Sequence, residues 1–385
     1  MTADAERARL TDSARWVIKV GTSLLTDTES GLNRAAIEAL VAQMAALKDG
    51  GAEIILVSSG SIVEGMQRMG WKRRPTELDQ LQAAAAIGQM GLAQCYEAAF
   101  QRFGVVTAQV LLTHADLADR ERYLNARNTL RKLLALAVIP IINENDAVVN
   151  DEIRFGDNDN LAALVANLVE AEVLVILTDR AGLYSGDPDL SREAELITRG
   201  RADDPRLLAG AGRPGAFGRG GMVTKVQAAQ KAARAGAATV IADGRAPDTL
   251  LRLRAGDAVG TLLLPGTGRM AARKRWLAGQ LRGNGEVVLD AGAVRVLRES
   301  GRSLLPIGVT GVTGAFRRGD IVTCVDDRGR EVARGLVNYN AGDAARIAGQ
   351  PSANIESILG YGGESELIHR DNIVLTDGAE ATDDA

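Results

Sequence analysis

Four short apolar runs, Trp16–Val20, Glu53–Val57, Ala135–Ile142 and Val173–Leu177, each stop at a glycine or a small polar residue. Between them lie stretches with helical period. Asn33–Asp49 brings Ile37, Leu40, Met44 and Leu47 to one face behind Asn33 as a cap, and Gly50-Gly51 stops it. Leu78–Phe103 and Arg120–Leu134 read as further helices, and Val105–Leu112, Thr239–Ala242 and Gly260–Leu264 as further strands. Strands with no polar face are buried on both sides, and their regular alternation with helices predicts an α/β fold with a mostly parallel sheet. A chain of 385 residues has the length for two such cores rather than one.

Open α/β sheets bind ligands at the carboxyl ends of their strands. The densest polar stretch of the chain, Ile141–Asn160, follows one of them. Ala135–Ile142 as a strand makes Asn143 the first residue to emerge, followed by Glu144, Asn145 and Asp146, and later by Asp157, Asn158, Asp159 and Asn160. Either cluster alone is what a turn and a helix cap require. Together they supply many hydrogen-bonding groups and little bulk around one short loop, which is the composition of a site for a small polar ligand. Lys19, beside Gly21, can aim a cation at phosphate from a strand end, although an edge lysine reaching water would look the same. Ser58-Ser59-Gly60-Ser61 offers backbone N–H groups at a strand-to-helix turn. The run G-A-F-G-R-G-G-M-V-T-K before a helix lets the backbone approach a polyphosphate, with Lys225 adding a full charge on the first turn. It lacks the spacing of a Walker A loop.

Charge and composition exclude several classes. A net charge of −4 and a pI near 5.5 are wrong for a general nucleic-acid binder. The polar segment Met1–Arg15 is no secretory signal, no apolar run is long enough to span a membrane, and the chain reads as cytoplasmic. Cys95 and Cys324 are far apart, and His114 and His369 are the two histidines, so a Cys/His metal centre or a histidine triad is excluded and all four residues read as structural. Lysines, carboxylates, amides and backbone N–H groups must carry any chemistry.

After Pro265 the composition shifts. Residues 266–282 hold Arg269, Arg273, Lys274, Arg275 and Arg282 with no acid, as a connector would. Beyond it come short β segments, Glu286–Leu289, Ser303–Pro306, Ile321–Val325 and Glu331–Leu336, which predict a small, mainly β domain of five strands. The expected organisation is a catalytic domain over 1–265, a linker over 266–282, a second domain over 283–370, and an acidic, disordered tail over 371–385.

The motifs I-K-V-G-T-S (Ile18–Ser23), V-S-S-G-S-I (Val57–Ile62), I-N-E-N-D-A-V (Ile142–Val148), G-D-N-D-N (Gly156–Asn160), L-T-D-R-A-G-L-Y (Leu177–Tyr184) and G-G-M-V-T-K (Gly220–Lys225) resemble those of the amino acid kinase family, in its glutamate-phosphorylating branch. The likeness runs from Trp16 to about Arg370, because L-L-P-I-G-V, F-R-R-G-D and A-R-G-L-V-N-Y resemble a PUA domain. The resemblance implies a three-layer sandwich with a mostly parallel sheet, plus a small PUA-like domain. It also implies transfer of the γ-phosphoryl group of ATP, with Mg²⁺, to the side-chain carboxylate of L-glutamate, the first step of proline biosynthesis.

Carried over residue by residue, Lys19, Lys225 and Asp159 would be catalytic, with Lys19 on the γ-phosphoryl, Lys225 on the leaving side and Asp159 holding both. Ser59, Gly60 and Ser61 would meet the attacking carboxylate, and Asn143, Asp146 and Asn158 the α-amino and α-carboxylate end. ATP would be bound by Lys19, Thr178, Asp179, Arg219, Gly220, Gly221, Met222, Val223, Thr224 and Lys225. A homo-oligomer and feedback inhibition by proline are further expectations of the resemblance. Ser61, Arg154 and Arg219 depart from the Ala, Lys and Thr expected there. The alternatives are a relative acting on acetylglutamate, aspartate or a nucleoside monophosphate, or RNA binding through the PUA-like domain. Between Gly283 and Arg370, ten Arg, no Lys and eleven Asp plus Glu give a net charge of −1, which disfavours RNA.

Overall fold

The computed structural model describes residues 3–27, 31–149, 158–186, 188, 193–210, 221–266 and 284–376. Arg154, Gly156, Asp157, Arg219, Gly220, nearly all of the linker expected from the sequence, and residues 377–385 of the expected tail lie outside the described residues. Two compact units are present, one built from Met1–Leu117 and Arg127–Ala272, the other from Ala118–Ala126 and Arg273–Ala385.

The first unit carries an eight-stranded sheet. Its strands are β1 (Arg15–Val20), β2 (Glu53–Val57), β3 (Thr107–Leu112), β4 (Ile139–Glu144), β5 (Val173–Thr178), β6 (Arg199–Arg201), β7 (Ala238–Asp243) and β8 (Thr261–Leu264), in the order β3-β4-β2-β1-β5-β7-β8-β6. All neighbours pair in parallel except β7 with β8. Side chains of a strand alternate between faces. Trp16, Ile18 and Val20 therefore join Ile54, Leu56, Val175 and Leu177 in a core with helices α1 (Arg34–Asp49) and α2 (Leu78–Gln101), represented by Ile37, Met44, Leu92 and Phe100. Lys19 points to the other face, which is packed by α3 (Asn158–Leu168). Asn33 caps α1 by accepting from the Ala36 N–H at 3.0 Å.

One strand is displaced from its expected place. The helix expected to end at Leu134 runs through Ala135, and Ala137 turns in the left-handed region (φ 58) while its N–H bonds to Leu134 O. That turn uses the residues expected to open the strand, so β4 begins at Ile139 and extends through Glu144. Asn143 consequently lies within the sheet, in register with Leu111, rather than beyond its end.

The second unit has a five-stranded sheet of β9 (Gly285–Leu289), β10 (Val309–Gly314), β11 (Ile321–Val325), β12 (Glu331–Leu336) and β13 (Ile373–Leu375), ordered β10-β9-β11-β12-β13. Ser303–Pro306 is not one of them. Leu304 makes an isolated bridge to Ile368, and the chain then enters a 3-10 turn at Pro306, which has no N–H to offer a ladder. The sheet also uses Ile373–Leu375, so the tail expected from residue 371 is structured at its start: its apolar residues pair with Ala333–Gly335. The unit is less purely β than expected, since Ala291–Ser300, Ala341–Ile347 and Ile355–Leu359 are helical. Leu124, from the Ala118–Ala126 segment, is buried with Ile321 and Leu336 of this unit.

Candidate active site

The centre of the site is a carboxylate held by two lysines. Asp159 stands on the first turn of α3, and Lys225 on the first turn of α4 (Met222–Arg234). Lys19 Nζ lies 2.6 Å from Asp159 Oδ1, and Lys225 Nζ donates to Asp159 Oδ2 at 3.0 Å. Thr224 Oγ1 donates to the same Oδ2 at 2.8 Å. The three charged side chains are all buried. Burial works to raise the Asp159 pKa, but the two lysines overpower it and hold the carboxyl well below the usual range. Two cations and one anion leave a net positive charge at the N-terminal ends of two helices, where the backbone dipoles also favour an anion.

Beside this cluster lies a buried network of amides and hydroxyls. Asn158 Nδ2 faces Ser58 O at 2.7 Å, Ser59 Oγ at 2.9 Å and Asn143 Oδ1 at 2.9 Å. Asn143 in turn donates from Nδ2 to Gln89 Oε1 at 2.7 Å. Asn158 Oδ1 is buried and has no hydrogen-bond partner among the described residues. Gly60 closes the Ser58–Ser61 turn with φ 103, a conformation that suits glycine, and Ser61 begins the next helix. Ser61 Oγ donates to Asp146 Oδ2 at 3.3 Å. Burial, reinforced by the nearby Glu144 charge, pushes the Asp146 carboxyl up to about 7.

The structure thus brings Lys19, Asp159, Thr224 and Lys225 into one cluster, Ser59, Asn143 and Asn158 into a second, and Ser61 with Asp146 into a contacting pair. Neighbouring positions on α3 join the first two clusters. Thr178 and Asp179 lie at the carboxyl end of β5, in the strand beside β1, with Thr178 Oγ1 donating to Asp179 Oδ1 at 3.2 Å. Gly221 caps α4 and Met222 and Val223 open it. Among the described residues no group of three or more His, Cys, Asp or Glu is placed to hold a metal ion.

Comparison with known proteins identifies the family. The family model for the amino acid kinase family matches residues 14–243. This chain belongs to the amino acid kinase family. A PUA domain model matches residues 285–359. Curated relatives of the kinase include the glutamate 5-kinase of Chromohalobacter salexigens, 59% identical over 371 residues, covering 96% of this chain and 98% of the relative. The glutamate 5-kinase of Burkholderia multivorans is 60% identical over 370 residues, covering 96% and 100% respectively. Among solved structures, a UMP kinase from Bacillus anthracis matches with a TM-score of 0.47 at 15% identity, covering 66% of this chain and 97% of that one, too distant a likeness to bear on the site.

Two contacts of this amino acid kinase had no signal in its sequence. Gln89 sits in an alanine-rich helix whose pattern speaks only of packing, yet it supports Asn143. His114, read as structural, lies with Nδ1 3.2 Å from Glu144 Oε1, next to the kinase's polar loop. Among the described residues no helix is long and apolar enough to cross a membrane.

Proposed function

We propose that the chain transfers the γ-phosphoryl group of ATP to the side-chain carboxylate of L-glutamate, giving L-glutamyl 5-phosphate, the first step of proline biosynthesis. The observation that carries the reading is the Lys19–Asp159–Lys225 cluster set against the Asn143–Asn158–Ser59 network: a phosphate-attracting centre beside a site for a small polar molecule. Identity near 60% along almost the whole chain to glutamate 5-kinases supports the choice of substrate.

Both reactants are anions, and phosphoryl transfer is catalysed mainly by positioning and by neutralising charge. Lys19 contacts the γ-phosphoryl group and Lys225 the leaving oxygen, while Asp159 keeps the two ammonium groups apart and aimed. Mg²⁺ would enter as part of the MgATP substrate and would supply further neutralisation of phosphate charge, consistent with its preference for phosphate and water over an all-protein cage. Thr178, Asp179 and the segment from Arg219 to Lys225 hold the nucleotide. Ser59, Gly60 and Ser61 receive the attacking carboxylate, which is ionised at neutral pH and needs no general base. Asn143, Asp146 and Asn158 take the amino acid end. A carboxylate at Asp146 suits a free α-ammonium and gives an acetylated amine nothing to pair with, which sets this substrate apart from acetylglutamate.

The test is ADP release measured with L-glutamate, N-acetyl-L-glutamate, L-aspartate and UMP as acceptors. Turnover is expected with L-glutamate, and a higher kcat/KM for any of the other three overturns the assignment.

A further inference from the structure

We infer that Gln89 is a positioning residue for the amino end of the substrate, acting through Asn143 on Asn158; the inference rests on the glutamate reading above. The polarity of the chain of amides follows from its backbone contacts. Asn143 Oδ1 receives the Glu144 backbone N–H at 2.9 Å, so the other end of that amide is the NH2, and its acceptor is Gln89 Oε1 at 2.7 Å. The Asn158 NH2 faces the Ser58 carbonyl, so the other end of that amide is the oxygen, which is buried with no hydrogen-bond partner among the described residues. Gln89, Asn143 and Asn158 are 9%, 1% and 8% exposed, so water is a poor substitute for any partner in the chain.

Removing the Gln89 acceptor strands the Asn143 NH2 in the interior. Any swing that finds it a new partner withdraws Asn143 Oδ1 from Asn158 Nδ2, which leaves the Asn158 amide on Ser58 O and Ser59 Oγ alone and lets its Oδ1 shift from the place it now holds. That oxygen and the Asp146 carboxylate are acceptors, the complement of an ammonium group. The placement of Gln89 is itself built into the backbone. A Cβ on Gly88 would lie 1.8 Å from Ser61 O, and one on Gly65 would lie 1.8 Å from Ala84 O, so bare backbone contact presses α2 against the helix that begins at Ser61. The residue after Gly88 is thereby fixed beneath the site.

The test compares Gln89→Met, Gln89→Asn and Gln89→Glu in the full chain. The methionine keeps the volume without the acceptor, and asparagine keeps the amide but is one methylene too short to reach Asn143. Glutamate keeps an acceptor in place. KM is measured for glutamate and for ATP, with inhibition by glutarate, which lacks the α-amino group, as the probe of the rest of the pocket. The expected result is a rise of about tenfold in KM for glutamate for Gln89→Met and Gln89→Asn, with KM for ATP and Ki for glutarate within about twofold of the parent. Gln89→Glu should return KM for glutamate to within about threefold. A purely structural role would weaken glutamate, glutarate and ATP together in every folded variant, and that result, or an unchanged KM for glutamate, overturns the inference. A parent protein without glutamate-dependent ADP release would instead overturn the proposed function.

Discussion

Lys19 and Lys225, 206 positions apart in the chain, are held by opposite oxygens of one buried carboxylate, Lys19 at 2.6 Å from Asp159 Oδ1 and Lys225 at 3.0 Å from Oδ2. Such an arrangement brings two cations close together in a dry site without letting them repel each other outright. It also lets each lysine be removed singly without leaving Asp159 unpaired. Replacing either with Ala should lower kcat by about 100-fold or more, the loss expected for one preorganised charge on a transferring group, while circular dichroism shows an intact fold. Ordinary turnover by Lys225→Ala would remove it from the catalytic machinery.

Removing the carboxylate is a different experiment. Asp159→Asn removes the one carboxylate that both buried ammonium groups share, so the free protein should lose roughly 3 kcal/mol of stability. Because the folded-state pKa of Asp159 is depressed, its stabilising contribution is present above the unfolded value of 3.8 and is lost as pH falls through that value and below. The variant should lack that part of the acid unfolding limb. Phosphate oxygens can replace the missing charge, so MgATP should raise the melting temperature of the variant more than that of the parent. A melting temperature equal to the parent's without nucleotide contradicts the proposed role.

Asp146 is tuned the other way. Its carboxyl stays protonated up to about 7 in the free protein, whereas pairing with an α-ammonium needs the charged form. In the parent, kcat/KM for glutamate should rise with pH and level off above about 7, and in Asp146→Asn that rise should vanish while KM for glutamate increases by about tenfold or more and KM for ATP changes little. The stability sign is also fixed. Between the unfolded value of 3.8 and about 7 the folded state binds the extra proton, so this group's contribution to stability falls as pH rises. Above neutrality Asp146→Asn should therefore be more stable than the parent by on the order of 2 kcal/mol, allowing for the group's partial exposure. Equal losses of glutamate and ATP affinity would make Asp146 a structural residue.

We propose that the chemistry resides in the first unit, since no residue assigned to it lies beyond Lys225. A chain ending at Pro265 should keep glutamate-dependent ADP release. It would, however, expose Leu124, which is buried with Ile321 and Leu336, so Leu124→Gln should raise the yield of the shortened protein. A folded, soluble truncation with no activity would mean that the second unit completes the site. In the intact chain, RNA binding should be weak and steeply salt-dependent, carried by Arg269, Arg273, Lys274 and Arg275. Tight, sequence-selective binding that disappears with the second unit would contradict this.

Much of the first sheet was legible because buried parallel strands announce themselves as apolar runs with polar ends, as Glu53–Val57 does; in the second sheet the antiparallel Ile321–Val325 and Glu331–Leu336 also begin and end where expected, between turn residues. β4 was misplaced because its preceding helix, which ends at Ala135, is followed by a left-handed turn at Ala137, with no glycine to mark it. Ser303–Pro306 had the composition of a strand, but a strand needs a partner along its length, and only Leu304 found one. In the site, Lys19 and Asp159 stood out as charges next to apolar or turn-forming neighbours. Gln89 did not, since one of five glutamines on an alanine-rich helix looks like surface until the backbone contact at Gly88 turns it inward.

The most direct measurement of the proposed chemistry is to trap its product. An acyl phosphate reacts with hydroxylamine to give a hydroxamate, whereas phosphate esters and free glutamate do not. With MgATP, L-glutamate and hydroxylamine, the chain should form γ-glutamyl hydroxamate in step with ADP, and Lys225→Ala should form it at least about 100-fold more slowly. ADP release from the wild-type chain with no hydroxamate would mean that the phosphoryl group goes to an acceptor other than the side-chain carboxylate of glutamate.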